Sequence, residues 1–154
     1  MIVRRMQAHE LDATMILFNY YRDEAIEALP NIADEYDENS MIMTVRSYAS
    51  HAEYCWFNAY EGQRPVGFIA GVLTPCPWNK DLIIAHISFV YMLPSHRSLA
   101  NFKQLMQEFE GWAKECKCYQ ITGGDIGIDL DRSQKLYEYF GFKPMLHTFK
   151  EIAR

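Results

Sequence analysis

A chain of 154 residues that is 49% apolar and 14% aromatic has the size of one ordinary domain with a substantial buried core. Its net charge of −5 and pI near 5.5 argue against a general nucleic-acid binder, because phosphate affinity comes from clustered Lys and Arg and no basic run is present. No window approaches ~20 continuous apolar residues, and Met1-Ile2-Val3-Arg4-Arg5-Met6 lacks a signal-length apolar stretch, so the expectation is a soluble, cytoplasmic protein without a membrane partner.

Residues 2–6 alternate as a short strand, and Leu11, Met15, Phe18, Ala25 and Leu29 then keep helical spacing until Pro30 stops them. The acidic run Asp34-Glu35-Tyr36-Asp37-Glu38 reads as a turn. Asn39 or Ser40 is placed to cap a second helix that carries Ile42, Val45 and Tyr48 or Ala49 on one face. Two β-rich runs, Tyr54–Tyr60 and Val66–Thr74, flank Glu61-Gly62-Gln63-Arg64-Pro65 as a hairpin, with Pro75 and Pro77 closing the second run. After a loop at Pro75–Lys80 comes the longest apolar run, Leu82–Leu93, whose β-branched content predicts a central strand.

Phe102, Leu105, Met106, Phe109, Trp112, Ala113 and Cys116 then form a nearly complete one-sided helical stripe. Tyr119–Thr122 reads as a short strand broken by Gly123-Gly124-Asp125. Ser133–Phe140 reads as a helix stopped by Gly141, and Met145–Ile152 alternates as a final strand. The order implies a mixed sheet with helices on both faces, each strand-helix-strand passage predicting a parallel crossover, in a single domain spanning residues 1–154. Cys55, Cys76, Cys116 and Cys118 include no C-x-x-C pair and no neighbouring His, so idle or buried thiols are expected rather than a metal site or disulfide framework.

The junction from His86 to Phe102 is the most informative stretch. A strand runs through a short polar turn into a long amphipathic helix, which aims bare N–H groups and the positive end of a helix dipole at one spot suited to an anion. Three patterns there and downstream carry a resemblance. Val90-x-x-x-Pro94-x-x-Arg97 before the helix is similar to the strand and pyrophosphate loop (R/Q-x-x-G-x-G/A) of the GCN5-related N-acetyltransferases, the GNAT family. Leu136-Tyr137-Glu138-Tyr139-Phe140-Gly141-Phe142 resembles that family's L-Y-x-x-x-G-F, and Gly62-x-x-x-Val66-Gly67-Phe68 its hairpin into the third strand.

The resemblance covers nearly the whole chain. It implies an α/β fold with a mixed, largely antiparallel sheet, a central splayed parallel strand pair and helices on both faces. It also implies acetyl-CoA as co-substrate, no metal, and an amine acceptor, either a small cationic molecule or a protein amine; a homodimer is left open. Carried over, the pantetheine-facing backbone is Val90, Tyr91 and Met92, and the diphosphate loop is Arg97, Ser98, Leu99, Ala100, Asn101 and Phe102. Ala100 and Phe102 stand where the family has Gly or Ala, and Phe102 either covers the loop or joins the helix stripe.

Acetyl transfer to an amine needs an oxyanion partner and a proton for the leaving thiolate. The resemblance gives the proton to Tyr137 and the carbonyl contact to a backbone N–H near Val90. His86, on a strand face expected to be shared with Ser88, Val90 and Met92, and Asp125 are the candidate bases, with a hydrogen-bonded structural histidine and a turn aspartate as their plainer roles. Acidity at Asp34–Glu38 would favour a cationic acceptor, and is otherwise a solvated loop. Three functions stand at this point: an N-acetyltransferase, an acyltransferase using another acyl-CoA, and a non-catalytic binding or assembly module with a degenerate loop.

Overall fold

The computed structural model describes residues 1–124, 129–145, 148 and 150–152. Five strands, β1 (Ile2–Arg5), β2 (Tyr54–Glu61), β3 (Arg64–Cys76), β4 (Asn79–Met92) and β5 (Gln120–Thr122), form one sheet in the order β1-β2-β3-β4-β5. All neighbours run antiparallel except β4 and β5. The helices are α1 (Leu11–Ala28), α2 (Ile32–Glu35), α3 (Glu38–Ser50), α4 (Leu99–Glu115) and α5 (Leu130–Tyr139). The expected mixed α/β sheet with one parallel pair is present. The first strand-helix-strand passage nevertheless corrects the crossover expectation, because β1 and β2 lie side by side and antiparallel. The final strand expected at Met145–Ile152 falls partly on residues 146, 147 and 149, outside the described residues.

Two apolar layers cover the sheet. Phe18 of α1 stacks on Phe68 at 5.9 Å and meets Phe89 edge-on at 5.7 Å, while Tyr48 of α3 meets Trp56 and Phe89. On the opposite face α4 buries Leu105, Met106, Phe109, Trp112 and Ala113, the stripe read from its spacing. Phe109 approaches the sheet so closely that a Cβ on Gly71 would lie 2.5 Å from its ring and 2.4 Å from the His86 carbonyl oxygen. Where α1 meets β2, the fully buried Asn58 is satisfied by its neighbours: its amide donates to Thr14 and Tyr60 hydroxyls and accepts from the Trp56 indole N–H.

Several boundaries moved for physical reasons. The acidic stretch expected as a turn supplies two helix pieces, with Asp34 and Glu35 inside α2 and Asp37, not Asn39 or Ser40, capping α3 by accepting from the Ser40 N–H at 2.8 Å. The β3 strand runs through Pro75 to a tight turn at Pro77-Trp78 rather than ending before a loop. Leu73 N–H donates toward the β2 side, to Glu53, so alternation turns the Pro75 nitrogen to that same side, beyond the end of β2, and no ladder bond is lost. All four cysteines are free thiols; burial pushes the Cys55 thiol up to about 12, leaving it inert. Among the described residues, no helix is long and apolar enough to cross a membrane.

Two measurements follow from this packing. Gly71→Ala should cost about 1–3 kcal/mol by overpacking, while Gly111→Ala, half-buried in α4 with nothing within 4 Å of the new Cβ, should add about 0.5–1 kcal/mol; urea melts of the two variants check the opposite signs. Glu10 accepts two hydrogen bonds from Arg4 and one from the Gln7 N–H, and the Arg4 contact first of all holds its carboxyl at about 2 against an ordinary 4.5. The stabilisation is therefore complete above about pH 4.5 and fades as pH falls toward 2. With Arg4 half in solvent, roughly 1 kcal/mol is expected; Glu10→Gln should remove it at pH 7 and change little near pH 2, measured by the same melts.

Candidate active site

The sheet opens beyond one residue pair. β5 accompanies β4 only from Ile84–Gln120 to His86–Thr122, so from Ile87 to Met92 β4 has β3 on one side and no strand on the other among the described residues. Which peptide groups face that gap is decided by a bulge: Ala70 pairs with Phe89 and Gly71 with Ile87, leaving Ser88 unmatched. Before the bulge, odd-numbered residues address the β5 side, as the Ile83 carbonyl does in accepting from Tyr119 N–H at 3.0 Å. After it they address β3, as Leu93 N–H does in donating to Val66 at 2.9 Å. Val90 and Met92 therefore turn their N–H and C=O groups into the gap, and Tyr91 turns its own toward β3.

The same bulge corrects the expected faces. Phe89 and Tyr91 pack under α1, and Ser88 accepts a hydrogen bond from Tyr48 of α3 at 3.0 Å. His86, opposite Val72, points to that face also, whereas Val90, opposite Ile69, and Met92, opposite Gly67, point to the α4 face. His86 thus does not share a face with Val90 and Met92. Its Nδ1 lies 2.8 Å from the Thr122 hydroxyl, at the last paired position before the gap.

Below the gap a 3-10 turn, Pro94–His96, leads into α4. Ser98 is the cap, its hydroxyl accepting from Asn101 N–H at 3.2 Å and its carbonyl from Phe102 N–H at 3.0 Å. Arg97 N–H donates to Pro94. Of the predicted loop, Ser98, Leu99 and Ala100 are left with N–H groups that have no acceptor among the described residues, at the positive end of a 17-residue helix. Phe102, partly buried, packs against the core beside the α4 stripe. The Arg97 guanidinium, expected to reach an anionic ligand, instead reaches Glu24: Nη2 donates to both carboxylate oxygens at 2.8 and 2.7 Å and Nε to the Met92 carbonyl at 2.8 Å. Sequence spacing carried no sign of Glu24, one of several acidic residues on α1 and 73 positions from its partner.

On the other lip, Tyr137 is set by the way α5 ends. Gly141 takes φ +86°, Gly141 N–H donates to Glu138 and Phe142 N–H to Tyr137, and the Phe142 and Tyr137 rings meet edge-on at 5.1 Å. This is a Schellman stop with its hydrophobic contact, so the glycine and phenylalanine of the motif hold the tyrosine in place. The Tyr137 hydroxyl donates to the Gly124 carbonyl at 3.1 Å, and the ring lies over Gly123 just past the end of β5. Asp125 lies outside the described residues. Asp34 and Glu35 line an open cleft of about 660 Å³ with Glu151 and Ile152. Among the described residues no three His, Cys, Asp or Glu side chains gather as a metal site.

A sheet parted between parallel strands, with strand peptide groups turned to one side and a helix start just below, is a geometry that suits a long amide-bearing ligand with an anionic end. The family model of the GNAT acetyltransferases matches residues 16–142, and the chain belongs to that family. Its fold is shared with solved structures of low identity. Aminoglycoside N-acetyltransferase AAC(6')-Iy, with a CoA-linked bisubstrate analogue, aligns over 99% of this chain and 97% of that one at TM-score 0.74 and 15% identity. The 6'-N-acetyltransferase AAC(6')-IG of Acinetobacter haemolyticus aligns over 99% and 100% at 0.72 and 16%. The ribosomal-protein-alanine N-acetyltransferase of Brucella melitensis biovar Abortus 2308 aligns over 99% and 100% at 0.74 and 13%. Comparison with curated proteins finds no match.

Because the partly buried Phe102 ring packs against the core, Phe102→Ala should cost about 1–3 kcal/mol of stability and leave CoA affinity within twofold. Thermal melts and titration calorimetry with CoA on one preparation check both halves.

Proposed function

We propose that this chain is an N-acetyltransferase moving an acetyl group from acetyl-CoA to a primary amine by direct attack, with no covalent enzyme intermediate. The observation that carries the reading is the pair of bared surfaces at one place: the Val90 peptide groups and the Met92 N–H facing the gap, and the N–H groups of Ser98, Leu99 and Ala100 at the start of α4. The Val90 carbonyl and Met92 N–H pair with the pantetheine amides, and the α4 N-terminus holds the diphosphate through peptide N–H groups and the helix dipole. The coenzyme supplies an activated acyl group and a thiolate that leaves.

The remaining chemistry falls to this chain. An N–H near Val90 polarises the thioester carbonyl, and Tyr137 turns its proton from the Gly124 carbonyl to the departing sulfur. His86, held through Thr122, and Asp125 are the groups that take the proton of the attacking amine. Acidic side chains at Asp34, Glu35 and Glu151 favour an acceptor that carries positive charge, a small polyamine-like molecule or a protein amine. A non-catalytic module rests on Phe102 covering the loop, and the packing of its partly buried ring against the core supports the catalytic reading instead.

Calorimetry with CoA and acetyl-CoA, followed by thiol release over a panel of amines, tests the reading. Binding at micromolar to millimolar concentration and amine-dependent thiol release are expected; failure to bind either coenzyme overturns it. Tyr137→Phe should lower turnover more than ~10-fold with little change in coenzyme affinity, and an unchanged rate removes Tyr137 from the mechanism.

A further inference from the structure

Arg97 opens the segment assigned to the coenzyme diphosphate, yet its charge is spent within the protein. Glu24, near the C-terminal end of α1, receives both contacts from Nη2 and a third hydrogen bond from the Tyr91 hydroxyl at 2.7 Å. The guanidinium carbon sits 5.4 Å from the centre of the Tyr91 ring, and the Nε contact to Met92 ties the same group to the end of β4. Both partners are about three-quarters buried, with side-chain exposures of 24% for Arg97 and 28% for Glu24, so this is not a loose surface pair. Burial and the neighbouring Glu24 carboxylate hold the Tyr91 hydroxyl protonated well above its usual range, keeping it a donor.

The contacts tie the turn into α4 both to α1 and to the end of β4, two elements already packed together through Tyr21 and Tyr91. On the other side, Asn101 donates to the His96 carbonyl at 2.7 Å and His96 Nε2 lies 3.2 Å from Glu61. The turn is thus strapped at Arg97 by an ion pair in which one guanidinium nitrogen reaches both carboxylate oxygens, and at His96 by weaker contacts. We infer that Glu24 is a positioning residue for coenzyme binding: by fixing Arg97 it sets the direction of the α4 N-terminus, and the diphosphate is held by peptide N–H groups rather than by the guanidinium. The inference rests on the proposed coenzyme site and assigns to α1 a part in it.

The test compares CoA with a donor that lacks the diphosphate, S-acetylpantetheine. Glu24→Gln is expected to raise the Kd for CoA and the KM for acetyl-CoA about tenfold, the order of one lost charged hydrogen-bond set, with kcat within twofold and turnover of S-acetylpantetheine unchanged. Arg97→Gln should give the same loss, and the double variant no further loss, because both remove one device. CoA affinity that is unchanged or higher in Glu24→Gln overturns the inference, the second case meaning that a freed guanidinium serves the diphosphate directly; an equal loss with S-acetylpantetheine overturns it as general damage. If Glu24→Gln does not fold, Tyr91→Phe reads the same quantity: a two- to threefold loss of CoA affinity supports the inference and no loss overturns it. Wild-type protein that binds no CoA overturns the proposed function as well, which separates that failure from this one.

Discussion

A strand paired on both sides presents its peptide groups to its two neighbours in strict alternation, and only an unmatched residue changes which neighbour a given position addresses. In β4 that residue is Ser88. Without it, a strand in register with β5 at His86 would offer Tyr91, not Val90 and Met92, to the open side. The extra residue also puts Ser88 and Phe89 together under the α1 and α3 layer, where Tyr48 covers the hydroxyl and four aromatic rings surround the phenylalanine. One inserted residue therefore sets both which peptide groups face the gap and the packing above them.

The start of α4 depends on a different kind of constraint. Its bare N–H groups are useful only if the turn before them is rigid, because a helix end that swings loses the alignment that makes its dipole and donors act together. The turn is short, polar and exposed at its middle, conditions that favour motion. What counters this is side-chain bonding from three directions, at Glu24, at Glu61 and at Asn101. The Ser98 cap completes the arrangement by occupying the third and fourth N–H groups of the helix and leaving the first two bare.

Much of the fold was legible because its signals are local. The α4 stripe, the stop at Gly141, the hairpin around Gly62 and the apolar β4 run each carry their cause within a few residues, and the three motif patterns point to the same family that the chain's match establishes. What escaped was long-range or hidden by burial. β4 is covered on both faces, so its sequence lacks the polar-apolar contrast that would expose a shift of one residue; His86 was accordingly put on the wrong face. Glu24 and Arg97 meet across 73 positions, and nothing in either neighbourhood marks the pair. Pro75 misled as a strand end because its tolerance depends on where β2 stops.

The α5 helix buries none of its residues. It is held by Asp129 accepting from Arg132 N–H at one end, by the Gly141 stop at the other, and by Tyr137, Phe140 and Phe142 resting on the core. An element with no fully buried residue is expected to open at a lower cost than the sheet. The tyrosine proposed as acid rides on this loosely held piece, while the edge proposed for the coenzyme belongs to the most firmly held strand. Warming the protein would then free Tyr137 from its place over Gly123 while the sheet still stood, so that heat would part the two sides of the gap before it divides folded from unfolded.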